Sequence, residues 1–217
     1  MKILALEFSS GQRSVAVLSS GGVSEVVESG GRNTNAISMI DAALRDAKVD
    51  REQIECLALG IGPGSYTGIR VAIALAQGWQ LARGIKLLGI SSAESIAAQA
   101  REDGVRGLVQ VVIDAQREEF YRATYELSPD AFREITPLKI VSLAELRQSE
   151  QQGETFIGPE ITRWFGGGNT IHPQAATLAK LATHRKDFVS GEKLEPIYLR
   201  QTTFVKAPHA RTRLEAH

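Results

Sequence analysis

The chain has 217 residues, enough for one large domain or two small ones, and its 43% apolar and 23% charged residues are those of an ordinary globular protein. Lys plus Arg is 25 and Asp plus Glu is 25, so the formal net charge is zero, which argues against a chain that grips RNA by itself. One cysteine, Cys56, excludes an intramolecular disulfide and reads as a small buried hydrophobe.

Residues 3–8 read as a buried strand closed by a turn at Ser9-Ser10-Gly11, and residues 13–18 and 23–27 as two more strands joined by the hairpin signal Gly21-Gly22. The spacing then predicts a helix over residues 34–47, capped by Asn33 or Thr34. A strand over residues 55–61 runs into the glycine-rich segment Gly62-Pro63-Gly64-Ser65-Tyr66-Thr67-Gly68, which opens a second helix ending near Arg83-Gly84. Residues 86–90 form another strand, and Ser91 with Glu94 spells a capping box for a third helix over residues 93–101. The acid at Glu7 comes too early for a signal peptide. The most apolar stretch, residues 71–82, is short and cut by Gln77 and Gln80. A cytoplasmic protein without membrane contact is expected.

Gly104 to Gly107 marks a boundary, after which the pattern begins again. Strands are expected over residues 108–114, 119–126 and 135–141, then a short helix capped by Ser142 and Glu145, a strand over residues 155–157, and a helix opened by Pro173 that reaches about Arg185. Two units that each open with a three-strand meander imply a duplicated α/β fold, residues 1–104 and 105–217, with the second unit abbreviated.

The glycine segment allows two readings. Backbone N–H groups before a helix N-terminus can hold an anion, or the glycines can make a ligand-free turn that seats the helix on the sheet. The segment lacks the lysine of a P-loop and the spacing of a dinucleotide fingerprint. Glu7 and Asp114 close the first strand of each unit, where an acid could hold a metal-bound phosphate or a water, or cap the following turn through backbone N–H groups. The histidines, His172, His184, His209 and His217, show no metal-ligand spacing, and no cofactor is expected.

Each of the first two helices carries a wide apolar surface. On the second, Val71, Leu75, Gly78 and Ala82 form one stripe, read as the core face, while Ile69, Ile73 and Ala76 lie on another arc with Gln77, Gln80 and Arg83. On the first, Ile37, Ile40 and Leu44 form the core stripe, and Ala36, Met39 and Ala43 extend it. A second stripe suits contact with another chain, so Met39, Ala43, Ile69, Ile73, Ala76 and Gln80 are the expected partner surface, with a deeper intramolecular core as the other possibility.

The run from Gly62 to Arg70 resembles the signature of the TsaB (YeaZ) family, accessory subunits for making threonylcarbamoyladenosine in bacterial tRNA. The match extends to Ile3-Leu4-Ala5-Leu6-Glu7-Phe8-Ser9-Ser10, to Gly89-Ile90-Ser91-Ser92, to the run from Ile113 to Tyr121, and to Glu195-Pro196-Ile197-Tyr198-Leu199-Arg200. The resemblance implies a two-lobed actin-like (RNase H-like, ASKHA) fold. It further implies a non-catalytic scaffold that pairs with the catalytic TsaD subunit through the first lobe's helices, helps recruit the ATPase TsaE, meets tRNA only through the complex, and self-associates when alone. Gly62, Gly64, Ser65 and Gly68 would then be structural. The family usually has Asp where Glu7 stands, and many members have His-Ser-Glu where this chain has Arg32-Asn33-Thr34-Asn35, while the His-x-x-x-His by which TsaD-like chains hold metal is missing. A small ATPase, kinase or peptidase-like enzyme of the same superfamily, using the glycine segment, Glu7 and Asp114, is the alternative.

Overall fold

The structure, a computed structural model, describes residues 1–29 and 35–199. Two five-stranded sheets divide the strands at the middle of the chain. The first holds β1 (Ile3–Glu7), β2 (Gln12–Ser19), β3 (Gly22–Ser29), β4 (Cys56–Gly60) and β5 (Lys86–Ile90) in the order β3-β2-β1-β4-β5. The second holds β6 (Gly107–Asp114), β7 (Glu119–Leu127), β8 (Phe132–Ser142), β9 (Thr155–Gly158) and β10 (Asn169–Thr170) in the order β10-β9-β6-β7-β8. In both, an antiparallel meander of three strands is extended from its first strand by two parallel ones. β1 and β6 are therefore the pseudo-equivalent central strands of two lobes that share one topology. This is the two-lobed actin-like arrangement.

The helices complete five layers. On the first sheet, α1 (Ala36–Ala47) and α2 (Tyr66–Arg83) cover the face that carries Leu4, Leu6 and Phe8. The opposite face, with Ile3, Ala5 and Ala58, is covered by α5 (Ala175–Ala182) through Ala175, Leu178 and Ala179. In the other lobe, α3 (Ser92–Glu102) lays Ala93, Ile96 and Ala97 on Val109, Val111 and Tyr121. Beyond the second sheet, α4 (Leu143–Gln151) and a 3-10 turn at Ile161–Arg163 cover Val112, Phe120 and Phe156. Thus α3, which follows the first sheet in the chain, packs on the second, and α5, which follows the second, packs on the first. The exchanged helices lie against each other. Thr177 Oγ1 donates to Gln99 Oε1 (2.5 Å), Lys180 pairs with Glu102 (2.6 Å) and Arg185 with Glu94 (3.0 Å). Their alanine-rich faces let two helices fit between two sheets.

Several local expectations change. The proposed caps Asn33 and Thr34 lie outside the described residues; Asn35 caps α1, its side chain accepting from the N–H groups of Ile37 and Ser38. Ser91 caps α3 by accepting from Ala93 N, but Glu94 is held by Arg185 instead of closing a capping box. β8 begins at Phe132, earlier than its alternation suggests, because register shifts opposite Arg122, Thr124 and Tyr125 let this edge strand absorb Pro137. The final helix begins at Ala175 and stops at Ala182, short of Arg185, whose guanidinium binds Glu94 and Asp187. β10 carries no sequence signal that two residues could give.

Candidate functional site

The face that α2 turns inward is decided where the helix begins. Ser65 caps it, its Oγ accepting from Gly68 N (3.4 Å), and Ser65 N donates to Ser9 O (2.6 Å). Gly68 then sits so close to β1 that a Cβ there would run into the carbonyl oxygen of Phe8. Gly64, at φ 147°, has the same relation to the carbonyl of Ser9, and Gly62 sits at φ 92°. These conformations favour glycine. Ile61 O and Gly62 O accept from Ile197 N (2.8 Å) and Ser92 N (2.7 Å), so the segment is tied at both ends to its own chain.

With Gly68 against the sheet, the arc through Ile69, Ala72, Ile73 and Ala76 must also face it. These residues are 0–6% exposed. The expected orientation of α2 is therefore reversed: Ile69, Ile73 and Ala76 belong to the core, while Val71, Gly78 and Ala82 face water and Leu75 is half-buried. On α1 the correction is the same in kind. Met39 and Ala43 are 1% and 0% exposed beside Ile40 and Leu44, and Ile37, expected in the core, is 49% exposed. Gln80 is occupied internally, its Oε1 accepting from Gly191 N (2.7 Å) and its Nε2 donating to Ile85 O (3.2 Å). None of the six residues expected to meet a partner offers a free apolar side chain to one. What does lie open is a mainly apolar groove of about 270 Å³ between α1 and α2, floored by Ile40 and walled by Ile37, Leu75 and Trp79, with Arg51 and Arg83 at its border. Arg51 is held by Asp41.

A second, more polar cleft of about 600 Å³ lies where the two lobes meet. Ser10, Arg13 and Tyr66 line it from the first lobe, Asp114 and Glu160 from the second, and Tyr198 packs on Tyr66 with ring centroids 6.2 Å apart. Asp114 caps its turn, Oδ1 accepting from Gln116 N (2.7 Å), in a loop where Gln116, Arg117 and Glu118 all take left-handed backbone conformations (φ 66°, 61° and 59°). Three such residues in succession, none of them glycine, hold a sharply bent β6–β7 connection.

Glu7, the counterpart of Asp114, does not line this cleft. It is fully buried, its Oε1 accepting from Ser9 N (2.7 Å) while Oε2 has no partner. Burial pushes its carboxyl up to about 7, against the opposing effect of the Ser9 bonds. Nothing in sequence marked this beyond an acid at the end of a wholly apolar strand. Cys56 is buried in β4, and burial pushes its thiol up to about 11. Among the described residues there is no cluster of three metal-ligating side chains, and no helix is long and apolar enough to cross a membrane.

Two actin-like lobes, a glycine turn seating α2 and a cleft at their junction define the class. The family model described as TsaD, tRNA N6-adenosine threonylcarbamoyltransferase, matches residues 5–205. The chain is 29% identical to the tRNA threonylcarbamoyladenosine biosynthesis protein TsaB of Haemophilus influenzae, covering 96% of this chain and 98% of that protein. It is 27% identical to TsaB of Escherichia coli, covering 92% and 95%. Among solved structures, YeaZ from Pseudomonas aeruginosa superposes with a TM-score of 0.78 at 25% identity, over 91% of this chain and 99% of that one. A second structure from that organism, of an uncharacterized protein with similarity to peptidase YEAZ, gives 0.79 at 26% identity, over 92% and 99%. The chain belongs to the tRNA N6-adenosine threonylcarbamoyltransferase family, with its TsaB (YeaZ) members.

Proposed function

We propose that this protein is a non-catalytic scaffold subunit in tRNA threonylcarbamoyladenosine biosynthesis, and that it pairs with a TsaD-like catalytic subunit through the outer faces of α1 and α2. Family membership supports the pathway. The observation that carries the pairing is the groove between α1 and α2, where Ile37 (49% exposed) leaves apolar surface open beside Leu75 and Trp79, with Val71 (37% exposed) open on the same helix as those two. Apolar side chains gathered around a groove and rimmed by charge are what a helical partner buries. The face is the complement of the one that periodicity favoured, on the same two helices.

The family's biology extends this reading: help in recruiting a TsaE-like ATPase, contact with tRNA only through the complex, self-association through the same helices when no partner is present, and residence in the cytoplasm. The two lobes divide near residue 104, with α3 and α5 exchanged between them. Gly62, Gly64, Ser65 and Gly68 act as a structural turn, which agrees with their bonds to the chain itself. The test is to mix the protein with its own organism's TsaD-like subunit and follow complex formation by size exclusion with light scattering. Ile37→Glu and Val71→Glu should each abolish pairing while leaving the melting temperature nearly unchanged. Pairing that survives both changes would move the partner surface elsewhere.

A further inference from the structure

The carboxyl of Glu7 fills the space that a side chain at Gly60, on the neighbouring β4, would occupy. The acid and the missing Cβ thus depend on each other. Around this carboxyl lies a joint of buried hydroxyls. Ser9, Ser14, Ser92 and Ser95 are each no more than 4% exposed. Ser92 Oγ donates to Ser9 Oγ (2.8 Å). Ser14, opposite Glu7 in the β1–β2 register, accepts from Ala175 N at the first residue of α5 (2.8 Å). Ser95, one turn beyond Ser92 on α3, has a buried Oγ with no partner, like Glu7 Oε2. The joint therefore ties the end of the first sheet's central strand to the first turns of both exchanged helices.

Among the described residues no cation pairs with the carboxyl. On the elements packed around it, Arg13 lies over the Phe8 ring, Glu94 pairs with Arg185, Arg101 donates to Asp130 O, and Lys180 pairs with Glu102. A carboxyl buried without a counter-charge is stable there in its neutral form, and its ionised form requires water or movement.

We infer that Glu7 is a proton-operated latch at the joint between the two lobes: neutral, it keeps the first sheet seated on the starts of α3 and α5, and ionised, it admits water there and loosens the lobes. The unpartnered Oε2 is the atom that needs a new donor on ionisation, and water entering beside Gly60 supplies it. The carboxyl, pushed up to about 7 by its burial, would change state around neutrality. The Ser92 N–H bond to Gly62 O crosses the same joint and reports on it.

The full-length protein tests this with two measurements. Carboxyl carbon-13 NMR should show Glu7 titrating near neutrality. Amide exchange, corrected for its intrinsic pH dependence, should show protection at Ser92 falling about tenfold or more between about pH 6 and about pH 8.5 in the wild type, and staying level in Glu7→Gln. Titration of Glu7 in the ordinary carboxylate range overturns the latch, and so does an identical exchange profile in wild type and variant. Should the variant not fold, the wild-type titration and exchange decide the matter together.

Discussion

The two lobes share a strand order and differ in what fills the space between the fourth and fifth strands. In the first lobe that connection is α2, eighteen residues long, seated by Gly68 on the backbone of β1. In the second it is the 3-10 turn at Ile161–Arg163, followed by Trp164 and Phe165 folded onto Phe120 and Phe156. A helix has an outer face, whereas a plug of aromatic rings is spent on its own core. Among the described residues, only the first lobe therefore presents a pair of adjacent helices with outward-facing side chains.

Three paired changes and one single change sharpen this contrast, from the largest expected effect to the smallest. Ile73→Glu buries a charge under α2 and should destabilise the protein by more than about 4 kcal/mol, whereas Phe165→Ala removes the plug of the second lobe and should cost about 3–5 kcal/mol. Urea unfolding measures both, and a well-folded Ile73→Glu protein would show that α2 does not depend on this face. The glycines behave alike in the two lobes: a Cβ at Gly68 meets Phe8 O and one at Gly158 meets Val112 O. Gly68→Val and Gly158→Ala should each lower stability by about 2 kcal/mol or more, and unchanged melting temperatures would sink the seating argument.

The carboxylates at the ends of the two central strands should diverge. Glu7 in the folded state is raised from the usual 4.5 to about 7, so the wild type binds this proton more tightly than its unfolded chain does. Its stability is then greatest below the ordinary carboxylate range, falls as pH rises toward about 7, and levels off above that. Glu7→Gln should remove the slope and add up to about 3 kcal/mol above neutrality. Asp114→Asn keeps an acceptor for Gln116 N and should change stability by under about 1 kcal/mol, leaving the slope set by Glu7 in place. Melting curves at pH 5, 7 and 8.5 separate the two, and equal slopes would refute the difference. The smallest effect on the monomer belongs to Val71→Glu, within about 0.5 kcal/mol, with loss of pairing as its only large consequence.

Much of this was legible in the residues. Both meanders, the glycine turn and the duplication follow from strands of buried residues punctuated by glycine. The orientation of α2 was not, because Ala, Gly and Gln are spread around it and two arcs of similar apolarity remain. A contact 60 residues away, between Gly68 and Phe8 O, decides between them. The stripe on α1 was misjudged because Ile37 is apolar yet faces the groove. The burial of Glu7 depends on the absence of a side chain at Gly60, a pairing between strands that the local pattern around either residue does not contain. The exchange of α3 and α5 left one trace, alanines spaced three or four apart at Ala93, Ala97 and Ala100 and at Ala175, Ala179 and Ala182, the mark of helices that must approach other elements closely.

That exchange sets a timetable for synthesis. When the first half of the chain has left the ribosome, its sheet is complete, but Ile3, Ala5, Ala16, Ala58, Leu88 and Ile90 wait uncovered for a helix made from residues 175–182. Meanwhile α3 has nothing to lie on until residues 107–127 emerge. The first lobe is therefore the last to close, and the nascent chain carries an open apolar sheet face from the completion of β5 until α5 emerges, when general chaperones have the most to hold and premature termination leaves the most adhesive fragment.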